Sequence, residues 1–482
     1  MLEQDQRQRS SDHSARPLPV IALGAGTFTV LLVLVLSRWA PLRELDRGVS
    51  LALNDVVAAS SSTAAVLRVV TDLGDPLVVA AVLGTLAVVL LVRRLPRLAL
   101  WVGVTGAGLA VLDPLAKSLV GRQRPVLPVV VQTAPGESFP SGHALASFTA
   151  FAILLLVALP LVPVGRRAWA YVATASVVLA VGFSRVALGV HYVSDVLAGW
   201  ALAATWTATT AWVLRAHRHG GQASPLRVGI DPDSAPALQP APETAHPVVP
   251  EPGRTSLLLA SGLATITAVI GAFGLLITQV LQGTWLTRWD RSAIDALTSL
   301  GVPQLDGPAA VVNALGGTRL IVTVGLVSAI LAVAVLRTWR PALFLAVALV
   351  GEVIVYLVVS RLLVDRARPG PALADQLPDQ ASYPSGHAAA AMTLYGASAL
   401  IVFAQVHGRW RLVVLVVPTL IGLLVALGRL YRGVHYPTDV LASAVLAAAW
   451  LALSYELLLD PRRARPAPRA EDGRADTRCQ PR

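Results

Sequence analysis

Runs of about twenty apolar residues recur along this chain and constrain its fold more than any other feature. A helix needs about 20 apolar residues to cross the hydrocarbon core of a bilayer. Only 14% of the residues are charged, whereas soluble domains carry about 25%. The sequence therefore predicts an all-α, polytopic membrane helix bundle of about 12 transmembrane helices. The runs lie at 18–37, 77–92, 98–116, 144–164, 168–183, 196–214, 256–280, 320–336, 341–360, 388–406, 412–427 and 440–459.

Arginine clusters occupy alternate connections between these runs. They lie at 93–97, 166–167, 215–218, 337–340, 409–411 and 462–465. Because positively charged connections stay in the cytoplasm, we expect both termini to be cytoplasmic. The connections at 117–142, 184–195, 361–386 and 428–439 would then face the extracytoplasmic side. The net charge of +11 is spread over these clusters and forms no basic face, so we expect no nucleic-acid partner.

The chain also contains an internal repeat. FPSGHA at 139–144 returns as YPSGHA at 383–388, GVHYVSDVLA at 189–198 as GVHYPTDVLA at 433–442, and RQRP at 122–125 as RARP at 366–369. Each pair is 244 residues apart, and so are Asp46-Arg47 in the first outer loop and Asp290-Arg291. Six spans are an even number, so the two copies point the same way. We predict two parallel six-helix units at 18–216 and 255–460.

The remaining segments are polar. Residues 1–17 form an N-terminal tail, 217–254 a cytoplasmic linker rich in Pro and Ala, and 461–482 a C-terminal tail. Such compositions are typical of extended linkers and disordered ends. The single cysteine, Cys479, lies in the last of these and can support neither a disulfide framework nor a cysteine metal site.

Charged residues gather at the outer helix ends of the first unit. Lys117 and Arg185 end spans that run outward, where the helix dipole favours cations. The next inward span begins at Ser141 and Gly142, and the free N–H groups of a helix N-terminus bind anions. With Arg124, three cations and a helix end would meet around a phosphate, whose oxygens guanidinium groups bind bidentately.

Two histidines accompany these phosphate-binding residues. His191 and Asp195 are four residues apart and share a helix face. A carboxylate bonded to one ring nitrogen would fix the tautomer and leave the other nitrogen as a nucleophile, and His143 could act as general acid. This set performs phosphoryl transfer without a metal or cofactor. The second copy carries the matching residues Arg361, Arg368, Ser385, Gly386, His387, Arg429, His435 and Asp439.

The motifs K-x6-RP, PSGH and SR-x5-H-x3-D resemble the signature of the type 2 phosphatidic acid phosphatase superfamily, and the six-span units resemble its membrane lipid-phosphatase branch. The resemblance covers about 80 residues in each half. It implies that His191 attacks phosphorus and forms a phosphohistidine, with Asp195 as its partner. It also implies that His143 protonates the leaving oxygen, and that Lys117, Arg124, Ser141, Gly142 and Arg185 hold the phosphate.

The second copy departs from the signature twice. Arg361 stands where Lys is usual, and Gly428 stands where Ser is usual. Arginine keeps the charge but is longer and planar. We therefore expect a second site that is active but altered in substrate preference or rate.

Four further charged residues stand outside the signature. We expect Asp113 to pair with Lys117, one helical turn later. Glu352 lies inside an apolar span, which by default suggests function, but no role follows from the sequence. Arg122 and Arg366 flank the RP motifs, and contact with lipid headgroups and simple exposure to solvent are equally compatible with their positions.

The leading functional interpretation is a metal-independent hydrolase for a lipid phosphate or diphosphate at the outer membrane face. Phosphatidic acid, phosphatidylglycerol phosphate and a polyprenyl diphosphate are candidate substrates. A phosphotransferase, in which an acceptor hydroxyl replaces water, would use the same motifs. A twelve-helix secondary transporter would instead place its binding residues near the bilayer midplane, whereas here the polar residues lie at the outer helix ends.

Overall fold

The computed structural model describes residues 18–214, 229–231, 235–238, 249, 251–299, 303–369 and 381–459. These ranges are helical apart from their connections and one isolated bridge between Ala367 and Ala381. The predicted tails at 1–17 and 461–482 and most of the predicted linker lie outside the described residues. The boundaries proposed for the two units therefore stay predictions.

Sixteen helices of twelve residues or more are present in the described ranges, eight in each half. The first half contains α1 (Leu18–Leu36), α2 (Ala40–Ala58), α3 (Ser61–Asp72), α4 (Pro76–Val92), α5 (Pro96–Val120), α6 (Gly142–Ala158), α7 (Arg167–Ala187) and α8 (Val193–Val213). The second half contains α9 (Pro252–Leu275), α10 (Trp285–Ser299), α11 (Pro303–Leu315), α12 (Thr318–Leu336), α13 (Arg340–Val358), α14 (Gly386–Phe403), α15 (Trp410–Tyr431) and α16 (Pro437–Leu458). Single π-helical turns extend α9 at Leu276–Val280 and α13 at Val359–Leu363.

The predicted polytopic membrane bundle is confirmed. Eleven helices in the described ranges, counted together with their extensions, are long and apolar enough to cross a membrane. The sixth predicted span corresponds to α8, which falls short of those eleven in mean hydropathy because Ser, Asp, Thr and Trp residues interrupt its apolar positions.

The prediction of an outer loop around Asp46 was wrong. Residues 40–58 and 61–72 form helices α2 and α3, and α10 and α11 take their places in the second half. The buried residues of α2 include Asp46, Ser50 and Asn54, so its inward stripe is polar. An apolar period, the usual sign of a packed helix, is therefore absent. The Ser60 hydroxyl caps α3 by accepting a hydrogen bond from the Thr63 amide at 3.2 Å.

The same tryptophan contact holds the bundle together in both halves. The indole of Trp206 on α8 packs on Gly108 of α5, where an added Cβ would lie 2.3 Å from the ring. Trp450 on α16 packs on Gly351 of α13 in the same way, and a Cβ added there would also lie 2.3 Å from the ring. The indole nitrogens donate to Thr105 O and to Ala348 O, each at 3.0 Å. Only glycine allows the helices to approach this closely.

The two halves are in contact through α4 and α12. At one end of this pair, Arg319 Nε lies 3.0 Å from Asp75 Oδ2, the carboxylate that caps α4. A second contact between the halves is made by Arg361 Nη1, which donates to Ser61 Oγ, at the start of α3, at 3.2 Å. The repeats therefore form one packed body in the described ranges.

Candidate active site

The turn that starts α6 organises the first site. Ser141 is the N-cap of α6, and its hydroxyl accepts a hydrogen bond from the Ala144 amide at 3.4 Å. The Ser141 amide in turn donates to Asp195 O, at the start of α8, at 3.0 Å. Gly199 of α8 lies so close that an added Cβ would be 2.7 Å from Ser141 O. The N-terminal turn of α6 is therefore held beside the first turn of α8.

His191 lies in the turn between α7 and α8 and is 2% exposed. Its Nδ1 is 2.7 Å from Ser138 O, so Nδ1 carries the hydrogen and donates to this carbonyl. Its Nε2 is 3.2 Å from Arg124 Nη1. Asp195 Oδ2 is further from Nδ1, at 3.5 Å. A main-chain carbonyl thus orients the ring, in the place where the sequence analysis put the carboxylate.

Arg122 binds the carboxylate of Asp195 and links it to α2. Its Nη1 is 2.6 Å from Asp195 Oδ1, and its Nη2 is 2.7 Å from Asp46 Oδ2. Both carboxylates are fully buried. The guanidinium also covers the ring of Tyr192, with its carbon 4.2 Å from the ring centroid. Ser194 completes the network, since its amide donates to Asp46 Oδ1 at 3.0 Å.

Both sequence interpretations of Arg122 were wrong, because its side chain is only 14% exposed and bridges two acids. The main chain of Arg122 contributes as well, since its carbonyl accepts the Ser138 amide at 2.8 Å. One residue therefore supports both neighbours of the His191 ring, the Ser138 carbonyl and the Asp195 carboxylate. Burial lowers the pKa of Arg122, but Asp195 and Asp46 raise it above its ordinary value.

The second half repeats this geometry. His435 Nδ1 lies 2.7 Å from Ser382 O and 3.7 Å from Asp439 Oδ2. The guanidinium of Arg366 is 2.7 Å from Asp290 Oδ2, bonds Asp439 Oδ1 and covers the ring of a tyrosine, Tyr436. Arg366 is thus also a buried bridging residue, not an exposed one.

The predicted phosphate ligands of the first site converge on the same region. Arg124 donates from Nε to Gly136 O at 3.0 Å and from Nη1 to Val190 O at 2.6 Å. Arg185 is 3% exposed and donates to Thr71 Oγ1 at 2.8 Å. Its Nε is buried and has no protein partner within the described ranges. A buried donor without a partner is costly, and a phosphate oxygen would satisfy it.

Lys117 forms the predicted ion pair, with Nζ 2.8 Å from Asp113 Oδ2. Of the second-site cations, Arg368 repeats the contact of Arg124, since its Nη1 donates to Val434 O at 3.2 Å. Arg429 donates to the Asn313 side chain, where Arg185 donates to Thr71. Arg361, the counterpart of Lys117, reaches Ser61 of the other half.

Burial and nearby cations keep His191 and His435 neutral. Burial lowers the pKa of His191 well below its ordinary value, and the cations Arg185, Arg124 and Lys117 lower it further. For His435, burial is again the largest cause and lowers the pKa to about 4, with Asp439 opposing the shift. A neutral imidazole whose Nδ1 hydrogen is engaged presents the Nε2 lone pair, as nucleophilic catalysis requires.

Several site residues were not found from the sequence. Ser138 acts through its main chain, which leaves no side-chain signal. Thr71 and Asn313, which hold Arg185 and Arg429, are ordinary polar residues of helices that the apolar pattern does not reveal. The repeat of Asp46 at Asp290 was a usable signal, since both bind the arginine of the R-x-R-P motif.

Fold and site together define a polytopic helical membrane protein with two matching clusters, each built from a buried histidine, arginines and a helix N-terminus. The model of the PAP2 superfamily matches residues 97–218 and 341–463, half of the chain in total. The chain therefore belongs to the PAP2 superfamily, and one match in each half confirms the tandem duplication.

Two curated proteins are similar to parts of the chain. Decaprenylphosphoryl-5-phosphoribose phosphatase of Mycobacterium tuberculosis (strain ATCC 25618 / H37Rv) is 42% identical over 108 residues, which cover 21% of this chain and 55% of that protein. Phosphatidylglycerophosphatase B of Bacillus subtilis (strain 168) is 34% identical over 94 residues, which cover 19% of this chain and 45% of that protein. The chain thus spans about half the length of the curated relatives that it matches.

One solved structure is also similar, the first transmembrane PAP2 type phosphatidylglycerolphosphate phosphatase from Bacillus subtilis. It shares 24% identity and a TM-score of 0.34, with 39% of this chain and 94% of that chain covered.

Proposed function

We propose that this protein is a membrane phosphatase that hydrolyses lipid phosphates or diphosphates through a phosphohistidine, at two sites on the extracytoplasmic face. The observation that carries the proposal is the geometry of His191. Its Nδ1 is bound to Ser138 O, and its Nε2 lies 3.2 Å from Arg124, a cation suited to phosphate. The names of both curated relatives describe phosphatases of lipid-linked phosphates, which supports this substrate class.

The proposed reaction has two steps. In the first, His191 Nε2 forms a bond to phosphorus while the bond from phosphorus to the leaving oxygen breaks, and His143 gives that oxygen a proton. In the second, water gives its proton to His143 and attacks phosphorus, which breaks the P–N bond and releases phosphate. Lys117, Arg124, Arg185 and the N-terminal amides of α6 would stabilise the charge on the three equatorial oxygens.

The second site would run the same steps with His435 as nucleophile and His387 as acid. Asp195 and Asp439 keep their proposed place beside the nucleophile, but they act mainly through Arg122 and Arg366. Arg368, Ser385, Gly386 and Arg429 would hold the phosphate there, and Arg361 would contribute less because it also bonds Ser61.

The test is phosphate release by the purified protein in detergent, with excess chelator and a panel of lipid phosphates. Wild type, His191→Ala, His435→Ala and the double variant are compared. We expect each single variant to keep the activity of the intact site, and the double variant to lose release by about a millionfold, the loss typical for a catalytic nucleophile.

Each of the other results has a distinct meaning. Release that survives in the double variant would overturn the proposed nucleophiles, and release that stops on addition of chelator would overturn metal independence. Absence of release from every lipid by the wild type would contradict hydrolysis. Transfer to an added alcohol in that case would instead support the phosphotransferase.

A further inference from the structure

Helix α13 with its π turn is one residue longer than α5 over the stretch that leads to the first cation of each site, Arg361 and Lys117. Gly108 and Gly351, the two glycines that contact the tryptophans, are 243 residues apart. Lys117 and Arg361, which follow them in the same helices, are 244 apart. The extra residue falls in the π-helical turn Val359–Leu363, which has no counterpart at the end of α5. A π turn closes after five residues in place of four, so it accommodates the insertion without breaking the helix.

The insertion places different side chains beside the two phosphate-binding turns. At an offset of 243, the counterpart of Asp113 is Tyr356. A Cβ added to Gly142 would lie 2.9 Å from both carboxylate oxygens of Asp113. A Cβ added to Gly386 would instead lie 2.9 to 3.0 Å from the outer ring carbons of Tyr356. A carboxylate therefore adjoins the start of α6, and a phenol adjoins the start of α14.

The carboxylate of Asp113 is only half satisfied. Oδ2 pairs with Lys117, but Oδ1 is buried and has no hydrogen-bond partner within the described ranges. A buried acceptor without a donor is unfavourable. A phosphate placed here would repel this oxygen, so the missing donor must come from another part of the ligand. A hydroxyl group close to the scissile ester fits both requirements.

We infer that the side chain beside the phosphate-binding turn, Asp113 in the first site and Tyr356 in the second, determines which leaving group each site accepts. This inference rests on the proposed phosphatase function. The first site takes phosphomonoesters of a polyol, in which a hydroxyl next to the ester oxygen donates to Asp113 Oδ1. The second site, with a phenol in this place, takes phosphomonoesters whether or not the leaving alcohol has such a hydroxyl. Tyr356 lies within electrostatic range of Arg368 and Arg429, which places its side chain among the second-site cations.

The expected preference of the first site for a hydroxylated leaving group can be sized from the chemistry of the Asp113 carboxylate. A hydrogen bond to an ionised group is about twice as strong as a neutral one, and a buried partner left unpaired adds its own penalty. We expect removal of the substrate hydroxyl to lower kcat/KM at the first site by about 10- to 100-fold. At the second site, where Tyr356 takes the place of Asp113 among the described residues, we expect a change of less than about threefold.

The experiment compares three dioctanoyl lipids in detergent. They are phosphatidylglycerol phosphate, its analogue in which propane-1,3-diol replaces the terminal glycerol, and phosphatidic acid as a reference without the hydroxyl. The first site is measured in His435→Ala protein and the second in His191→Ala protein. Asp113→Leu should abolish the preference for the hydroxylated lipid at the first site, and Asp113→Asn, which keeps an acceptor oxygen, should retain part of it.

Two further variants separate hydrogen bonding from charge. Glu137→Leu removes another carboxylate within electrostatic range of Arg124 but is not part of the Gly142 contact, so the preference should stay. Tyr356→Asp should create a preference for the hydroxylated lipid at the second site. The decisive quantity is the ratio of kcat/KM for phosphatidylglycerol phosphate to kcat/KM for its propane-1,3-diol analogue. If this ratio at the first site is the same with Asp113 in place and in the Asp113→Leu variant, this inference alone is overturned. Absence of release from all three lipids overturns the proposed function instead.

Discussion

At the scale of single residues, the orientation of His191, the proposed nucleophile, depends on a chain of contacts that starts outside the motif residues. Arg122 bonds Asp195 and Asp46 through its side chain and Ser138 through its main chain, and Ser138 in turn accepts the hydrogen of His191. The guanidinium can bridge two carboxylates because its donors point in fixed directions. A lysine at this position would carry the charge but could not span both acids.

We predict that Arg122→Met destabilises the protein and inactivates the first site. It leaves two buried carboxylates without a counter-charge, and loss of one partner of a buried ion pair costs about 3–5 kcal/mol. In His435→Ala protein, kcat should fall far more than KM rises, because the nucleophile is misplaced while the phosphate ligands remain. Arg122→Lys should recover part of both stability and kcat.

The matched control is Arg47→Met, which removes an exposed arginine next to Asp46. It should leave thermal stability and kcat unchanged within error. Equal kinetics for Arg122→Met and Arg47→Met would show that the bridge does not position the nucleophile.

A second prediction concerns the protonation of His435. Its pKa of about 4 lies below the ordinary histidine value of about 6.5, so the folded protein should keep this ring neutral as the pH falls between them. Unfolded chains bind the proton at about pH 6.5, so His435 costs stability progressively as the pH drops from about 6.5 towards about 4.

Nitrogen-15 NMR of histidine-labelled protein, assigned with His435→Ala, can measure this directly. The Nδ1–H neutral tautomer should persist at pH 5.5. A ring that is half protonated near pH 6.5 would contradict the burial described here.

Sequence reasoning at this scale identified the residues better than their partners. The histidines, arginines and Lys117–Asp113 pair followed from motif spacing. The role of Ser138 did not, because every residue has a carbonyl and only the folded turn brings this one to the ring. The partner of Arg122 was missed because Asp46 was placed in a loop.

At the scale of helices, long apolar stretches predicted eleven of the membrane-spanning segments, and α8 was found although it is less apolar. Helix α2 was not predicted, because the residues it buries include Asp46, Ser50 and Asn54, whereas a packed helix usually buries an apolar stripe. Such a helix is stabilised by the site that it helps to build. That information lies in distant parts of the chain.

The contact between α6 and α8 leads to a third prediction. Gly199→Ala should push the two helices apart, because the new Cβ would lie 2.7 Å from Ser141 O, and overpacking of this kind costs about 1–3 kcal/mol. Both the thermal midpoint and first-site kcat/KM should fall.

Gly103→Ala on the exposed face of α5 is the control, since nothing lies within 4 Å of its Cβ position. Replacing a helical glycine by alanine there should be neutral or should stabilise the protein by up to about 1 kcal/mol. Similar losses in both variants would point to a general effect of the substitution and not to this contact.

At the scale of the whole molecule, the two halves meet along α4 and α12, with Asp75–Arg319 at one end of that pair and a separate contact between Ser61 and Arg361. The repeat predicted that the copies run parallel but not that these helices pair. In a membrane, side chains that face lipid and side chains that face another helix are equally apolar, so composition does not distinguish the two surfaces.

We predict that the halves stay together when the chain is cut between them. A protease site inserted near residue 240 should yield two fragments that co-purify in mild detergent, because helix packing holds them. Arg319→Ala should not release them, since an ion pair whose arginine is 60% exposed contributes about 0–1 kcal/mol.

Separation of the fragments after cleavage would contradict the α4–α12 contact. Size-exclusion chromatography with cleaved and uncleaved protein distinguishes the two results. The uncleaved Arg319→Ala protein controls for changes in detergent binding.

The π turn at Val359–Leu363 also lets the two copies differ in length while both keep their helix contacts. Replacement of single side chains can alter a site only at positions that already face it. An insertion absorbed within one turn preserves the tryptophan contact before it and the arginine after it, while it changes the spacing between them. An ungapped alignment of the copies pairs Asp113 with Leu357 and overlooks Tyr356. Removal of one residue from 357–360 would give the second copy the spacing of the first, so that the two could be compared position by position.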